Sequence, residues 1–133
     1  MAGGVERKHG MNRGYAIAIC LMALSLTATP AHAVDATYEK PLLRLAEVLG
    51  AVHYLRNICG EDSDAWRTRM QELLAAEAPS QARREKLVAS FNHGYRAFAG
   101  TYESCTAQAL AAVERYMKEG ALLSRDIAQR YGN

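Results

Sequence analysis

Proline, cysteine and β-branched residues are scarce in this chain of 133 residues. There are three prolines and three cysteines, and after the first third of the sequence alanine, leucine, glutamate and arginine dominate. Because these four are strong helix formers and strands favour β-branched side chains, the composition argues against a β-sheet. The length suffices for one domain. The sequence therefore predicts a single all-α domain.

Long apolar runs are also scarce, and the one present lies near the N terminus. Residues 15–29 (YAIAICLMALSLTAT) follow a basic start and precede the A-H-A triplet at 31–33. This order is typical of a secretory signal peptide. The run is shorter than the ~20 residues that span a membrane. We expect residues 1–33 to be a signal peptide cleaved after Ala33, with Met1 or Met11 as the start; an uncleaved membrane anchor is the alternative.

A net positive charge is missing from the predicted mature chain, residues 34–133, which we interpret as one helical domain. Removal of residues 1–33 takes three basic residues and one acidic residue from totals of 16 and 14, which leaves 13 of each. Nucleic-acid binding depends on a net basic surface. The composition therefore gives no support to a nucleic-acid partner.

Two cysteines, Cys59 and Cys105, remain after the predicted cleavage. In an oxidising compartment such as the bacterial periplasm, an even pair in a chain of this size favours a disulfide. Closing a loop of about 47 residues contributes about 4 kcal/mol in the chain-entropy model. Because a domain of about 100 residues buries a limited core, this contribution matters. We expect a periplasmic protein with one disulfide bond.

Helical spacing and capping residues predict the first two helices. The first is expected from about Tyr38 to Ile58, with Pro41 in its first turn and Gly60 just past its end. The second is expected from about Asp64 to Glu77, with Asp62 or Ser63 as its N-cap.

A long seam of apolar and aromatic residues predicts a third helix from about Ser80 to Lys118. Its members alternate at spacings of four and three residues, as in helices that pack side by side: Phe91, Tyr95, Phe98, Tyr102, Cys105, Ala109, Ala112 and Tyr116. A continuous helix of that length would measure about 58 Å, so we expect a bend near Gly94 or Gly100. A short last helix is predicted from about Ala121 to Arg130.

Both cysteines fall on the apolar stripes of these predicted helices, Cys59 at the end of the first and Cys105 midway along the third. A disulfide between them would hold the two helices side by side. Small residues beside the seam, Gly94 among them, would let another helix approach closely. The predicted fold is a small all-α bundle of three to four helices with one disulfide.

Motifs for catalysis or cofactor binding are missing from the sequence. Covalent haem needs C-x-x-C-H, and zinc needs three or four ligands at workable spacing. The predicted mature chain offers His53 and His93 with two cysteines that a disulfide explains better. Ser90 lies near His93 but outside any G-x-S-x-G context. We therefore predict no metal, no cofactor and no enzymatic activity.

Arginines that directly follow tyrosines are the strongest candidates for ligand binding. Arg56 and Arg96 have this setting, and Asn92 and His93 lie beside Arg96 but off the apolar seam. The simpler interpretation is a rim of the core in which arginine and tyrosine bond to glutamate or backbone. The other is a shallow groove for an anionic ligand or an extended peptide. We take Arg56, Asn92, His93 and Arg96 as a possible ligand or partner face.

Several short motifs of the predicted mature chain resemble a family of small secreted alphaproteobacterial proteins, described as a domain of unknown function. The motifs are YEKPLLRLAE (38–47), HYLR (53–56), CG (59–60), WR (66–67), FNHGYR (91–96), YESCT (102–106) and RYG (130–132). The resemblance implies a periplasmic address and a Cys–Cys pair. It carries no catalytic residues.

These observations lead to one principal hypothesis and two alternatives. The principal hypothesis is a non-enzymatic interaction module of the cell envelope that binds another envelope protein or a cell-wall component. An enzyme or enzyme inhibitor that acts on peptidoglycan is the first alternative. The second is an acid-stress chaperone, since small disulfide-stapled helical chaperones of the periplasm resemble this chain in size and architecture. The oligomeric state stays open.

Overall fold

The structure, a computed structural model, describes residues 1, 3, 4 and 32–132. Residues 32–132 form four helices and, within that range, no strand. The helices are α1 (His32–Ile58), α2 (Ala65–Glu77), α3 (Gln81–Ala99) and α4 (Ala107–Tyr131). The predicted all-α bundle is confirmed.

The predicted signal peptide, residues 1–33, lies almost entirely outside the described residues, and its cleavage stays a prediction. Among the helices that the structure does describe, none has the length and apolarity needed to cross a bilayer.

The central element of the bundle is α1, which packs against all three other helices. Short connections make α2 antiparallel to α1 and α3 antiparallel to α2. At one end of α1, Tyr38 contacts Tyr131 of α4; near the other end, Leu55 packs against Ala109. Since these contacts run in opposite directions along the two helices, α4 is antiparallel to α1, and the topology is up-down-up-down.

Two apolar clusters hold the helices together. The first joins α1, α2 and α3 and contains Leu42, Ala46, Met70, Leu74, Leu87 and Phe91. The second joins α1 and α4 and contains Leu55, Ala109, Ala112 and Val113, with Phe98 and Tyr102 packed against it. Because α1 supplies residues to both, its apolar positions surround most of the helix instead of forming a single stripe.

The prediction of one helix from Ser80 to Lys118 is wrong. α3 ends at Ala99, residues 100–106 form a turn, and α4 begins at Ala107. The Gly100 N–H bonds to the Arg96 carbonyl at 3.1 Å, which completes the last turn of α3. Thr106 then caps α4, since its Oγ1 accepts from the Ala109 N–H at 3.1 Å. The predicted last helix, residues 121–130, is the second half of α4.

The position of Cys105 is corrected by the same finding. It lies exposed in the turn between α3 and α4, not midway along a helix, while Cys59 is half-buried just after α1. Their sulfur atoms are 2.05 Å apart, the distance of a disulfide bond. The Tyr54 hydroxyl donates to the Tyr102 carbonyl in the same turn. The bond therefore fastens the end of α1 to a turn.

Two details of the first helices also differ from the predictions. Because α1 begins at His32 instead of Tyr38, Pro41 lies inside the helix and not in its first turn. Asp64 occupies the N-cap position of α2, where Asp62 or Ser63 was expected. The Ser63 Oγ still accepts from the Ala65 N–H, at 3.5 Å, at the start of that helix.

The backbones of α1 and α3 approach each other closely at two glycines. A Cβ atom on Gly50 would lie 1.9 Å from the Phe91 carbonyl oxygen, and one on Gly94 would lie 1.9 Å from the Glu47 carbonyl oxygen. Real atoms do not tolerate such distances, so only glycine fits at either position. The expectation that Gly94 allows a close helix approach is confirmed.

Replacing Gly94 by alanine tests this close approach. The new methyl group meets backbone, which cannot rotate away, so we expect Gly94→Ala to lower the free energy of unfolding by about 3 kcal/mol or more. Gly100→Ala is the matched control, because its Cβ would lie 3.5 Å from the Arg96 carbonyl oxygen, an ordinary contact. Urea unfolding followed by circular dichroism measures both. Equal stability of the two variants would contradict the packing described.

Removing the disulfide should destabilise the protein through its denatured state. The bond joins residues 46 apart in sequence. We expect replacement of both cysteines by alanine to lower the free energy of unfolding by about 4 kcal/mol. Urea unfolding with and without reductant measures the effect. Reductant should shift the wild-type curve towards that of the double variant and leave the variant unchanged; a wild type indifferent to reductant would refute the bond.

Candidate functional site

The four residues of the predicted partner face lie in two different settings. Arg56 is half-buried at the end of α1, where the Glu61 carboxylate binds it. Asn92, His93 and Arg96 are exposed on α3. His93 Nδ1 lies 3.2 Å from the Glu47 Oε1 atom. The structure thus brings together three of the four residues by helical adjacency, and their role in binding stays a prediction.

Glu61 organises the loop between α1 and α2. One carboxylate oxygen binds the Arg56 guanidinium, and the other accepts from the Trp66 indole N–H at 3.2 Å. The Glu61 amide also donates to the Arg56 carbonyl at 2.9 Å. A single side chain therefore links the end of α1 to the first turn of α2.

A concave groove runs along α1, and we call it the α2–α4 groove. α2 and α4 lie on two sides of α1 and leave between them a volume of about 500 Å³. Its lining is mostly apolar: Leu45, Val48, Leu49 and Val52 from α1; Trp66, Arg69, Glu72, Leu73 and Ala76 from α2; Tyr116, Met117, Gly120, Ala121 and Ser124 from α4.

The depth of the groove follows from how its residues are covered. The α1 residues form its floor at the spacing of one helical face, yet Val48 and Val52 keep only 2% and 1% of their surface exposed. At the rim, Ala76, Ala121 and Ser124 are small and exposed. The floor of the groove is therefore largely covered, while its rim is open to solvent.

Charge is balanced at the α2 side of this groove. Arg69 and Glu72 are both exposed and form an ion pair at 3.0 Å. A surface pair of this kind contributes little to stability. It leaves the groove without an uncompensated charge, so the chemistry on offer is the burial of apolar surface. Within the described residues, no group of three or more His, Cys, Asp or Glu side chains could hold a metal ion.

A polar cluster joins α1, α3 and α4 beside the close helix crossing. Arg44 binds the Glu119 carboxylate through two nitrogens at 2.7 and 3.0 Å and the Glu47 carboxylate at 3.1 Å. Its guanidinium also lies 5.5 Å from the Tyr116 ring centre. The hydrogen bond to Glu119 raises the pKa of Arg44, which keeps it charged. Sequence spacing could reveal the Arg44–Glu47 pair, but not the partner on α4.

A second polar cluster lies at the other end of the bundle, near the starts of α1 and α3 and the ends of α2 and α4. The Tyr38 hydroxyl donates to Glu77, Arg83 lies 5.1 Å from the Tyr38 ring centre, and Tyr131 packs edge-on at 4.6 Å. Burial, followed by the hydrogen bond to Glu77, raises the pKa of Tyr38 to about 12. The phenol therefore stays protonated and keeps donating at physiological pH.

His53 is the buried polar residue of the core, with 3% of its surface exposed. Its ring lies 6.0 Å from that of Phe91 and 5.8 Å from that of Tyr95. Burial lowers the pKa of His53, and the positive charge of Arg67 lowers it further, so the imidazole is neutral at pH 7. Sequence reasoning weighed this histidine only as a metal ligand and missed its burial.

Comparison with known protein families gives a match over most of the chain. The family described as "Protein of unknown function (DUF2385)" matches residues 37–131, a range that contains α2, α3, α4 and most of α1. No curated protein and no solved structure matches the chain. The expected resemblance to a family of unknown function is confirmed, while secretion and bacterial origin stay predictions.

Replacing Glu61 by alanine tests its double contact. Trp66 is the only tryptophan of the chain, so its fluorescence reports on this site. We expect Glu61→Ala to shift the Trp66 emission to longer wavelength and to lower the free energy of unfolding by about 1 kcal/mol, because both partners lose a hydrogen bond. Asp62→Ala, at the exposed neighbouring position, is the control. An unchanged spectrum for Glu61→Ala would show that Trp66 is held otherwise.

Proposed function

Since the chain belongs to the DUF2385 family of proteins of unknown function, we propose that it is a non-enzymatic binding module of the cell envelope. It is secreted through a cleaved signal peptide, and its α2–α4 groove receives the apolar side chains of an amphipathic helix from a partner protein. The observation that carries the proposal is this groove of about 500 Å³.

The length and spacing of the groove suit a helix. Its α2 side runs from Trp66 to Ala76, through Arg69 and Leu73, at spacings of three and four residues. Ten residues of helix span about 15 Å, or nearly three turns. A partner helix that presents apolar residues at positions i, i+3, i+4 and i+7 offers a row of side chains about 10.5 Å long, which fits within this length.

The shape of the groove determines how such a helix lies. Because the α1 floor is covered, the partner's backbone stays at the rim and only its side chains enter. The small rim residues Ala76, Ala121 and Ser124 let that backbone come close. With Arg69 and Glu72 already paired, the affinity comes from apolar burial.

Photo-crosslinking from the groove identifies the partner in the cells that produce the protein. A photoreactive benzoylphenylalanine replaces Ala76, which lines the groove, and in the control replaces the adjacent Ala75, which is exposed but outside it. We expect a crosslink to one protein from position 76 and none from position 75. The crosslinked peptide should carry apolar residues at helical spacing. Equal crosslinking from both positions, or a crosslink to glycan, to lipid or to a second copy of this chain, would overturn the proposal.

The crosslinked peptide is then synthesised and titrated against purified variants. Ala76→Glu places a carboxylate where the partner's apolar side chains enter, and burying that charge is unfavourable. We expect Ala76→Glu to weaken binding at least tenfold, whereas Ala75→Glu, with the same change in net charge, leaves the affinity within twofold. Loss of affinity in both variants would indicate a general electrostatic effect and would contradict binding in the groove.

A further inference from the structure

We propose that His53, Asn57 and Ser63 form a proton-operated latch, which holds the start of α2 against α1 and opens when His53 takes up a proton. Because α2 is one side of the α2–α4 groove, the latch would regulate the site proposed above. In that respect it rests on the proposed function, but the latch itself is a property of the protein alone.

The orientation of the Asn57 amide follows from its backbone partner. The Ser63 N–H can only donate; it donates to the Glu61 carbonyl at 2.9 Å and also lies 3.1 Å from Asn57 Oδ1. The oxygen of the amide therefore faces Ser63, and the nitrogen faces the other side. That nitrogen lies 3.4 Å from His53 Nδ1. Since an amide nitrogen donates, His53 Nδ1 must accept, and the neutral ring carries its proton on Nε2.

Protonation of His53 disrupts this arrangement of hydrogen-bond donors and acceptors. Both ring nitrogens of a charged imidazole are donors. The Asn57 Nδ2 and His53 Nδ1 atoms would then face each other as two donors. A flip of the Asn57 amide would satisfy His53 but would turn Nδ2 towards the Ser63 N–H. One of the two hydrogen bonds is lost in either arrangement.

The surroundings of His53 disfavour protonation of its ring but do not prevent it. Phe91 and Tyr95 of α3 cover the ring with an apolar face and a neutral phenol. From the start of α2, Arg67 disfavours the charged form, whereas Asp64 favours it. Burial is the largest of these effects. The folded protein therefore takes up this proton at lower pH than an exposed histidine does.

Loss of the hydrogen bond between Ser63 and Asn57 affects the groove, because Ser63 also contacts the start of α2. Its Oγ accepts from the Ala65 N–H at 3.5 Å, in the first turn of α2. The next residue, Trp66, lines the groove. When the Asn57 amide flips towards the charged ring, the Ser63 N–H keeps only the Glu61 carbonyl of its own loop. The loop that positions this first turn then loses one of its contacts with α1, and that end of the groove loosens.

The pH window of the latch follows from the sign of linkage. Above pH 6.5, the ordinary pKa of histidine, His53 is neutral in both the folded and the unfolded chain, so its contribution is constant. Below pH 6.5 the unfolded chain binds the proton first, and the folded state loses stability. This loss continues until the pH falls to the lowered pKa of folded His53. The latch therefore weakens progressively as the pH falls from 6.5 towards the lowered pKa of folded His53.

Amide exchange of the whole protein measures the latch without any partner. We expect the protection factor of the Ser63 amide, corrected for the intrinsic pH dependence of exchange, to fall at least tenfold between pH 7.5 and pH 5. His53→Gln, which cannot be charged, should abolish this fall. His93→Gln, at the exposed histidine of α3, should retain it. A fall of equal size in His53→Gln and wild type, or none in wild type, would overturn the latch.

Asn57→Ala keeps the test decisive if His53→Gln fails to fold. This variant retains the histidine but removes the side chain that joins it to Ser63. The Ser63 amide keeps the Glu61 carbonyl, so it should exchange faster than in the wild type at pH 7.5 and without the fall in protection at pH 5. If Asn57→Ala preserved the wild-type pH dependence at Ser63, the proposed route through Asn57 would be wrong. Failure of the crosslinking experiment with a pH-dependent Ser63 amide would remove the partner and leave the latch; the reverse result would remove the latch alone.

Discussion

The close approach of two backbones, α1 and α3, is the constraint on which the rest of the structure depends. Gly50 and Gly94 each remove the side chain that would keep the helices apart. With α3 drawn so near, its residues Phe91 and Tyr95 cover the His53 ring. α2 and α4 then occupy other sides of α1, and the space left between those two is the groove. Its existence is thus a consequence of an asymmetric bundle around one central helix.

Much of this fold could be predicted from the sequence, because local signals are strong where helices begin and end. The end of α1 at Ile58 and that of α2 at Glu77 match their predicted positions. The prediction of one long third helix was wrong because the seam from Phe91 to Tyr116 has the spacing that one straight helix would produce. Two antiparallel helices that both face α1 satisfy the same spacing. Gly100 and Thr106 carried the correct signal, an end followed by a cap.

The candidate site was harder to predict, because it consists of space between elements. The groove depends on how far apart α2 and α4 lie, and this distance appears in no local pattern. The role of His53 depends on two neighbours in sequence, Asn57 and Ser63, and on cover from α3. The sequence shows that His53 and Asn57 are four residues apart on a helix. It does not show that His53 is buried, and the proposed role of the pair depends on that burial. Residues with obvious chemistry, such as His93 and Arg96, lie on the exposed face of α3.

The disulfide constrains one side of the groove covalently and leaves the other side outside the closed loop. It closes a covalent ring from Cys59 to Cys105, and this ring contains all of α2 and α3. α4 follows the ring in sequence and is fastened to α1 by apolar packing, by the Arg44–Glu119 pair and by the contact between Tyr38 and Tyr131. The groove thus has one side, α2, inside a closed covalent loop and the other, α4, outside it, beyond the turn that holds Cys105.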